Sequence, residues 1–246
     1  MSSSGKQTRL GMLTPSSNTV LEPVTSEIVA EIANASAHFS RFRVTQIGLT
    51  DKSNKQFTHS EIVRAASLLA DAKVGVIAWN GTSASWLGFE HDERLCKEIE
   101  GATGIQACTS TLAFREIFRR EGLRKVGLVT PYMGDVQERI IANWATCGVI
   151  CPAERHLGLT DNFSFSTVSQ DVLKQVVRDV ARSDCDAVAI VCTNLDGATI
   201  AADLEKEIGR PVFDSISVTL WKSFELLGVD ASNLAKWGGP FRTKSG

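Results

Sequence analysis

Apolar residues fall in short runs that stop abruptly at polar turns, and each turn leads into a segment of helical spacing. Ala187 to Val191 is apolar; it breaks at Cys192 into the turn Cys192–Gly197, and the stretch 198–208 reads as a helix. Val74 to Trp79 does the same ahead of Asn80-Gly81-Thr82-Ser83. Runs of this kind are how strands buried on both faces read, with polar side chains only where the strand leaves the sheet. Further strands are predicted at Leu10–Thr14, Phe39–Ile47, Ile105–Cys108, 125–130, 150–156 and 211–214. Helices are predicted after the turn 15–19 and at 59–71, 91–100, 110–121, 133–146, 167–181, 198–208 and 216–227. This alternation implies right-handed crossovers and parallel sheets.

The pattern repeats. Ala78, Gly81 and Thr82 fall on Ala189, Cys192 and Thr193 at an offset of 111 positions, and Gly11 and Thr14-Pro15 fall on Gly127 and Thr130-Pro131 at an offset of 116. Two offsets this close point to two structural repeats. The fold expected is therefore α/β: two halves of one repeated design, each a parallel four-stranded sheet flanked by helices. The N-terminal lobe is expected over 1–122 and the C-terminal lobe over 123–215, with the stretch 216–246 placed to pack back on the first. Residues 1–8 read as a loose terminus.

Composition narrows the function. At 246 residues the chain can bury one large or two small cores. A net charge of −2, without a basic patch, excludes a nucleic-acid binder. No apolar run is long enough for a membrane span, and the polar start MSSSGKQTR lacks the apolar core of a signal peptide, so a cytoplasmic location is expected. There the six cysteines read as reduced thiols. The four histidines are scattered and Cys147 with Cys151 has no second ligand pair, so no metal site is expected.

Ligands of open α/β sheets lie at the carboxyl ends of strands. Four such turns supply Asn18, Thr82, Ser83, Tyr132, Cys192, Thr193 and Asn194, donors without a fixed positive charge. Hydroxyls, amides and backbone N–H groups can hold a carboxylate and stabilise an enolate growing from it. Ser16 and Ser17 read as helix-capping residues. Cys96, Cys108 and Cys185 read as packing, whereas Cys192 lies at a polar strand end where a thiol can exchange a proton. Its partner position in the first half is Gly81, so the chain reads as a two-cysteine site with one cysteine missing.

The turn PSSNT at Pro15–Thr19, the GTS at Gly81–Ser83, the TPY at Thr130–Tyr132 and the lone Cys192 resemble the aspartate/glutamate racemase superfamily. Within it they resemble the branch of arylmalonate decarboxylase and maleate cis-trans isomerase. The resemblance implies two pseudo-symmetric Rossmann-like lobes with the active site between them, no cofactor and no metal, a small dicarboxylate as partner, and Cys192 as the catalytic residue. It further implies substrate contacts at Asn18, Gly81, Thr82, Ser83, Tyr132, Asn162 and Thr193. Racemases and isomerases of this kind carry a cysteine in each half; the decarboxylase carries glycine in the first, as Gly81 does here. The leading expectation is decarboxylation of a substituted malonate through an enediolate protonated by Cys192. Asn80 and Asn162 make the pocket polar, and Asn18 and Asn162 resemble the carboxylate-binding asparagines of maleate isomerase, so a maleate-isomerase-like or racemase-like reaction is the alternative, in which Gly81→Cys creates or raises racemase activity. A catalytically silent dicarboxylate-binding protein is the third. The sequence leaves assembly open, a homo-oligomer included.

Overall fold

The computed structural model describes residues 7–242. Residues 1–6 of the expected loose terminus lie outside them, and Thr8 already begins a strand. The first half runs β1 (Thr8–Pro15), α1 (Leu21–Val29), β2 (Ala35–Phe42), the short α2 (Asp51–Asn54), α3 (His59–Asp71), β3 (Val76–Trp79), the one-turn α4 (Ala84–Leu87), α5 (Phe89–Thr103), β4 (Ala107–Thr109) and α6 (Ser110–Arg120). The second runs β5 (Val126–Thr130), α7 (Gly134–Thr146), β6 (Glu154–His156), α8 (Gln170–Ala181), β7 (Ala187–Ile190), α9 (Ala198–Ile208), β8 (Val212–Asp214) and α10 (Ser215–Leu227).

Two four-stranded sheets result, ordered β2-β1-β3-β4 and β6-β5-β7-β8, with every strand pair parallel. Registers agree with the two sequence offsets residue for residue. Gly11 pairs with Ile77 as Gly127 pairs with Val188, and Leu13 with Trp79 as Val129 with Ile190. The central strands β3, β5 and β7 are buried throughout, as their unbroken apolar runs require. Helices close over them with one apolar stripe each. In α8, Leu173, Val177 and Val180 recur at helical spacing on the buried side, behind an N-cap in which Ser169 Oγ accepts from Val172 N–H. Gly127 lets that helix approach: a Cβ there would lie 2.3 Å from Val180 Cγ1.

The last helix of each half crosses to the other. On α6, Phe118 packs on Trp144 of α7 and on Phe213 of β8, with ring centroids 5.1 and 6.0 Å apart. On α10, Thr219 Oγ1 lies 2.7 Å from Ser110 Oγ, and Lys222 pairs with Glu116 at 2.8 Å. These contacts fix the two sheets against each other.

The strand expected over 150–156 forms only at Glu154–His156, and a second strand departs further from the reading of the sequence. The run predicted over Phe39–Ile47 forms a strand only at Ala35–Phe42. Beyond Phe42 the serines thought to cap α1 divert the chain: Ser16 Oγ accepts from Val44 N–H and Ser17 Oγ donates to Val44 O. Residues 45–47 then leave the sheet and meet the second lobe, with Asn162 N–H donating to Thr45 O and Ile47 N–H to Thr160 O. Asn18 does the capping instead, its Oδ1 accepting from Val20 and Leu21 N–H.

Candidate active site

The strand ends of the two sheets face each other and enclose a cavity of about 20 Å³, room for roughly one water. From the first lobe it is lined by Pro15, by Trp79 and the turn Gly81-Thr82-Ser83, and by Trp86 of α4. Val44, Ile47 and Phe57 close one side. The second lobe supplies Tyr132, Asn162, Cys192 and Thr193. No cationic side chain is among these residues. Larger clefts of about 590, 680 and 640 Å³ lie on the surface, and none includes a turn that follows β1, β3, β5 or β7.

Cys192 is buried, and burial pushes its thiol up to about 12. The N–H of Asn194, 3.3 Å from Sγ, and the phenol of Tyr132 oppose that shift without cancelling it. The thiol is therefore neutral at physiological pH: it can give a proton, while its thiolate is scarce. Tyr132 is held by Gly158 N–H donating to its carbonyl and by ring contacts with Trp86 and Phe165 at 5.3 and 5.6 Å. Burial, reinforced by neighbouring Cys192, keeps its phenol well above the ordinary range, so it remains a donor. Its OH lies 2.6 Å from Thr82 Oγ1, a bond between the lobes.

The remaining expected residues divide into two groups. Ser83 Oγ is buried without a partner, as are the indole N–H groups of Trp79 and Trp86. The backbone N–H groups of Thr82, Ser83, Cys192 and Thr193 make no hydrogen bond to another described residue. Buried donors are normally satisfied, so a group of free ones around a cavity is suited to an oxygen-rich ligand. Asn18 and Thr193 instead tie the lobes together. Asn18 Nδ2 donates to Thr193 Oγ1 at 3.1 Å, and that hydroxyl donates to Asn80 O at 2.9 Å. Asn18 and Asn80 lie off the cavity wall, and the amide nitrogen of Asn80 is turned to Ala78 O and Leu13 O. Asn162 does reach the wall; its Nδ2 donates to Ser17 Oγ at 2.8 Å, and its carbonyl accepts from Asn194 Nδ2. Asn194 completes the junction by accepting from Thr19 and Val20 N–H.

Reading the sequence missed Trp79, Trp86 and Phe57 as wall residues. Trp79 carried a signal: it precedes Gly81 by two positions in an extended run, and side chains two apart share a face. The room beside Gly81 holds the Trp79 ring. A Cβ at Gly81 would lie 1.9 Å from Cζ2, 2.3 Å from Cε2 and 2.5 Å from Cη2 of that indole. Among the described residues no group of three or more His, Cys, Asp or Glu is placed to hold a metal ion, and no helix is long and apolar enough to cross a membrane.

Two repeats of one Rossmann-like design, joined around a secluded thiol, define a pseudo-symmetric two-lobed α/β protein. The chain belongs to the arylmalonate decarboxylase family, whose model matches residues 11–237. It is 28% identical over 183 residues to arylmalonate decarboxylase of Bordetella bronchiseptica, covering 73% of this chain and 76% of that one. Against maleate isomerase of Geobacillus stearothermophilus it is 25% identical over 238 residues, 91% of this chain and 93% of that one. Among solved structures, a cysteine-to-serine variant of Nocardia farcinica maleate cis-trans isomerase with a covalently bound succinylcysteine intermediate superposes with a TM-score of 0.88 at 20% identity, over 97% of this chain and 99% of that one. Arylmalonate decarboxylase superposes at 0.76 and 24% identity, over 96% of this chain and 100% of that one. These superpositions establish the shared fold; the family consists of enzymes, decarboxylases and isomerases both.

Proposed function

We propose that this chain is a cofactor-independent lyase that decarboxylates a small substituted malonate. The observation that carries the reading is the single thiol of the cavity, held protonated by burial opposite a glycine. An isomerase that adds sulfur to a double bond, or a racemase that abstracts a proton, needs a thiolate; a protonated thiol is a general acid.

In this mechanism one carboxylate is retained by Ser83, Thr82, Tyr132 and the N–H of Thr193, which also receive the negative charge as it builds on the enediolate. The carbon–carbon bond to the other carboxylate breaks, its electron pair enters the enediolate, and carbon dioxide leaves. Exclusion of water favours that loss of charge. Cys192 Sγ–H then protonates the planar carbon on one face. The thiolate left behind is strongly basic in its buried setting and takes its proton back from water. Carbon dioxide release from methylmalonate, lost with Cys192→Ala in a protein that still melts cooperatively, tests the reading; turnover retained by the variant sinks it.

A rival reading, isomerisation of an unsaturated diacid, draws support from Asn162 on the cavity wall and from the greater share of the chain that aligns with the maleate isomerase, 91% against 73%.

A further inference from the structure

In the second lobe the position equivalent to Trp79 is Ile190, since Leu13 pairs with Trp79 as Val129 pairs with Ile190. The first lobe thus places a far larger side chain at the same strand end, two residues ahead of Gly81 where the second lobe has Cys192. That ring has room only because position 81 lacks a side chain: Cζ2, Cε2 and Cη2 all lie within 2.5 Å of where a Cβ would be. Trp79 is completely buried, and its ring packs on that of Phe42 with centroids 4.9 Å apart and planes tilted by 44°. A close-packed interior holds such a ring in place.

The ring also presents chemistry. Nε1 is bonded directly to Cε2, the atom 2.3 Å from the Gly81 Cβ position, so the N–H edge lies beside the active-site turn. It has no hydrogen-bond partner, and neither has Ser83 Oγ on the same wall. Two neutral donors in a cavity without cations fit an oxygen acceptor.

We propose that Trp79 is the substrate-selecting residue of this site: its six-membered ring fills the room that an aryl substituent would need, and its N–H binds a carboxylate oxygen. The ligand is then a compact diacid whose α-carbon carries hydrogen or a methyl group. This deepens the decarboxylase reading and rests on it for the identity of the ligand as a malonate. A phenyl group enters only if the indole leaves.

The test compares Trp79→Phe, which loses the N–H but stays aromatic and buried, with Trp79→Ala, which empties the room. Binding of malonate, methylmalonate and phenylmalonate is measured by calorimetry in a Cys192→Ala background, where ligand survives, and turnover is measured with Cys192 intact. Without a change at Trp79, methylmalonate binds at least about 10-fold tighter than phenylmalonate. Trp79→Ala reverses that preference, and Trp79→Phe, whose shorter side chain loses the N–H and vacates part of the room, weakens methylmalonate by about 10-fold. Trp79→Leu carries the expectation of the alanine variant should that variant fail to fold. Equal binding of the two malonates before substitution, a folded small-residue variant that gains nothing for phenylmalonate, or a phenylalanine variant that binds methylmalonate as before overturns the proposal. Methylmalonate bound in the expected pattern but recovered unchanged sinks the decarboxylase reading and leaves the role of Trp79 standing. Phenylmalonate consumed as fast as methylmalonate does the reverse, and binding of no diacid sinks both.

Discussion

The hydroxyl of Thr82 and the phenol of Tyr132 lie 2.6 Å apart, one on the turn after β3 and the other on the turn after β5. The same phenol also bears on Cys192, opposing the rise of its thiol pKa. One side chain thus links the turn proposed to bind the carboxylate to the proposed proton donor.

Tyr132→Phe keeps the ring between Trp86 and Phe165 and removes only the OH. Loss of a donor to developing negative charge predicts a fall in kcat of about 100-fold, with a stability loss of only about 1 kcal/mol. Steady-state kinetics with methylmalonate and a thermal melt check both; unchanged kcat places the phenol outside the reaction.

With its thiol pushed up to about 12, Cys192 keeps its proton across neutral pH. Turnover is predicted to show no thiol titration between about pH 6 and 9, and iodoacetamide to modify Cys192 far more slowly than an ordinary thiol with pKa of about 8.5. The stability linkage has a definite sign. The folded pKa lies above the unfolded one, so the contribution is complete below about pH 8.5 and is lost as pH rises toward about 12. Mass spectrometry of labelled peptides, native against denatured, reads the protection.

Asp214 caps α10 through Oδ1, which accepts from Ile216 and Ser217 N–H, while Oδ2 is buried without a partner. Burial raises its carboxyl to about 7. Between about pH 4 and 7 the folded state keeps a proton that the unfolded chain has released, so stability falls as pH climbs through that window. Asp214→Asn, whose Oδ1 can maintain the cap, is predicted to melt about 2–4 °C higher at pH 8 for each kcal/mol recovered, with no gain near pH 4. A gain of equal size at both pH values would refute the linkage.

The fold was legible in the sequence because buried parallel strands are written as unbroken apolar runs, and because two offsets, 111 and 116, align the halves onto matching registers. Gly81 and Cys192 emerged as equivalent strand ends for the same reason. The end of β2 was not legible. Phe39, Phe42, Val44 and Ile47 follow no strict alternation, and beyond Phe42 the chain turns through serine hydroxyls that hold Val44 from 27 and 28 residues away. Asn18 has the residue type of a carboxylate donor, yet its amide serves the helix cap and the lobe junction. Three-dimensional proximity decides between such uses, and one sequence does not encode it locally. The indole of Trp79 over Gly81 depends on a rotamer, which period-two spacing permits but does not select.

Gly81→Cys is the direct way to restore a second thiol, and Trp79 stands in its way. The single substitution forces the indole out of its room, an overpacking cost of about 1–3 kcal/mol, seen as a melt lower by about 2–4 °C per kcal/mol. Racemase activity is predicted to require Trp79→Ile as well, the residue type of the equivalent position 190. Exchange of both α-protons of propionate, the product expected from methylmalonate, for deuterium reports it; full activity of the single variant, without loss of stability, would contradict the packing described.

The most direct test is proton NMR in D2O of the purified protein with malonate, methylmalonate and maleate, run beside Cys192→Ala. Decarboxylation with Cys192 as proton donor predicts a monoacid deuterated at the α-carbon, absent with the variant. Fumarate formed from maleate, with the malonates untouched, would contradict it and make Cys192 an isomerase nucleophile.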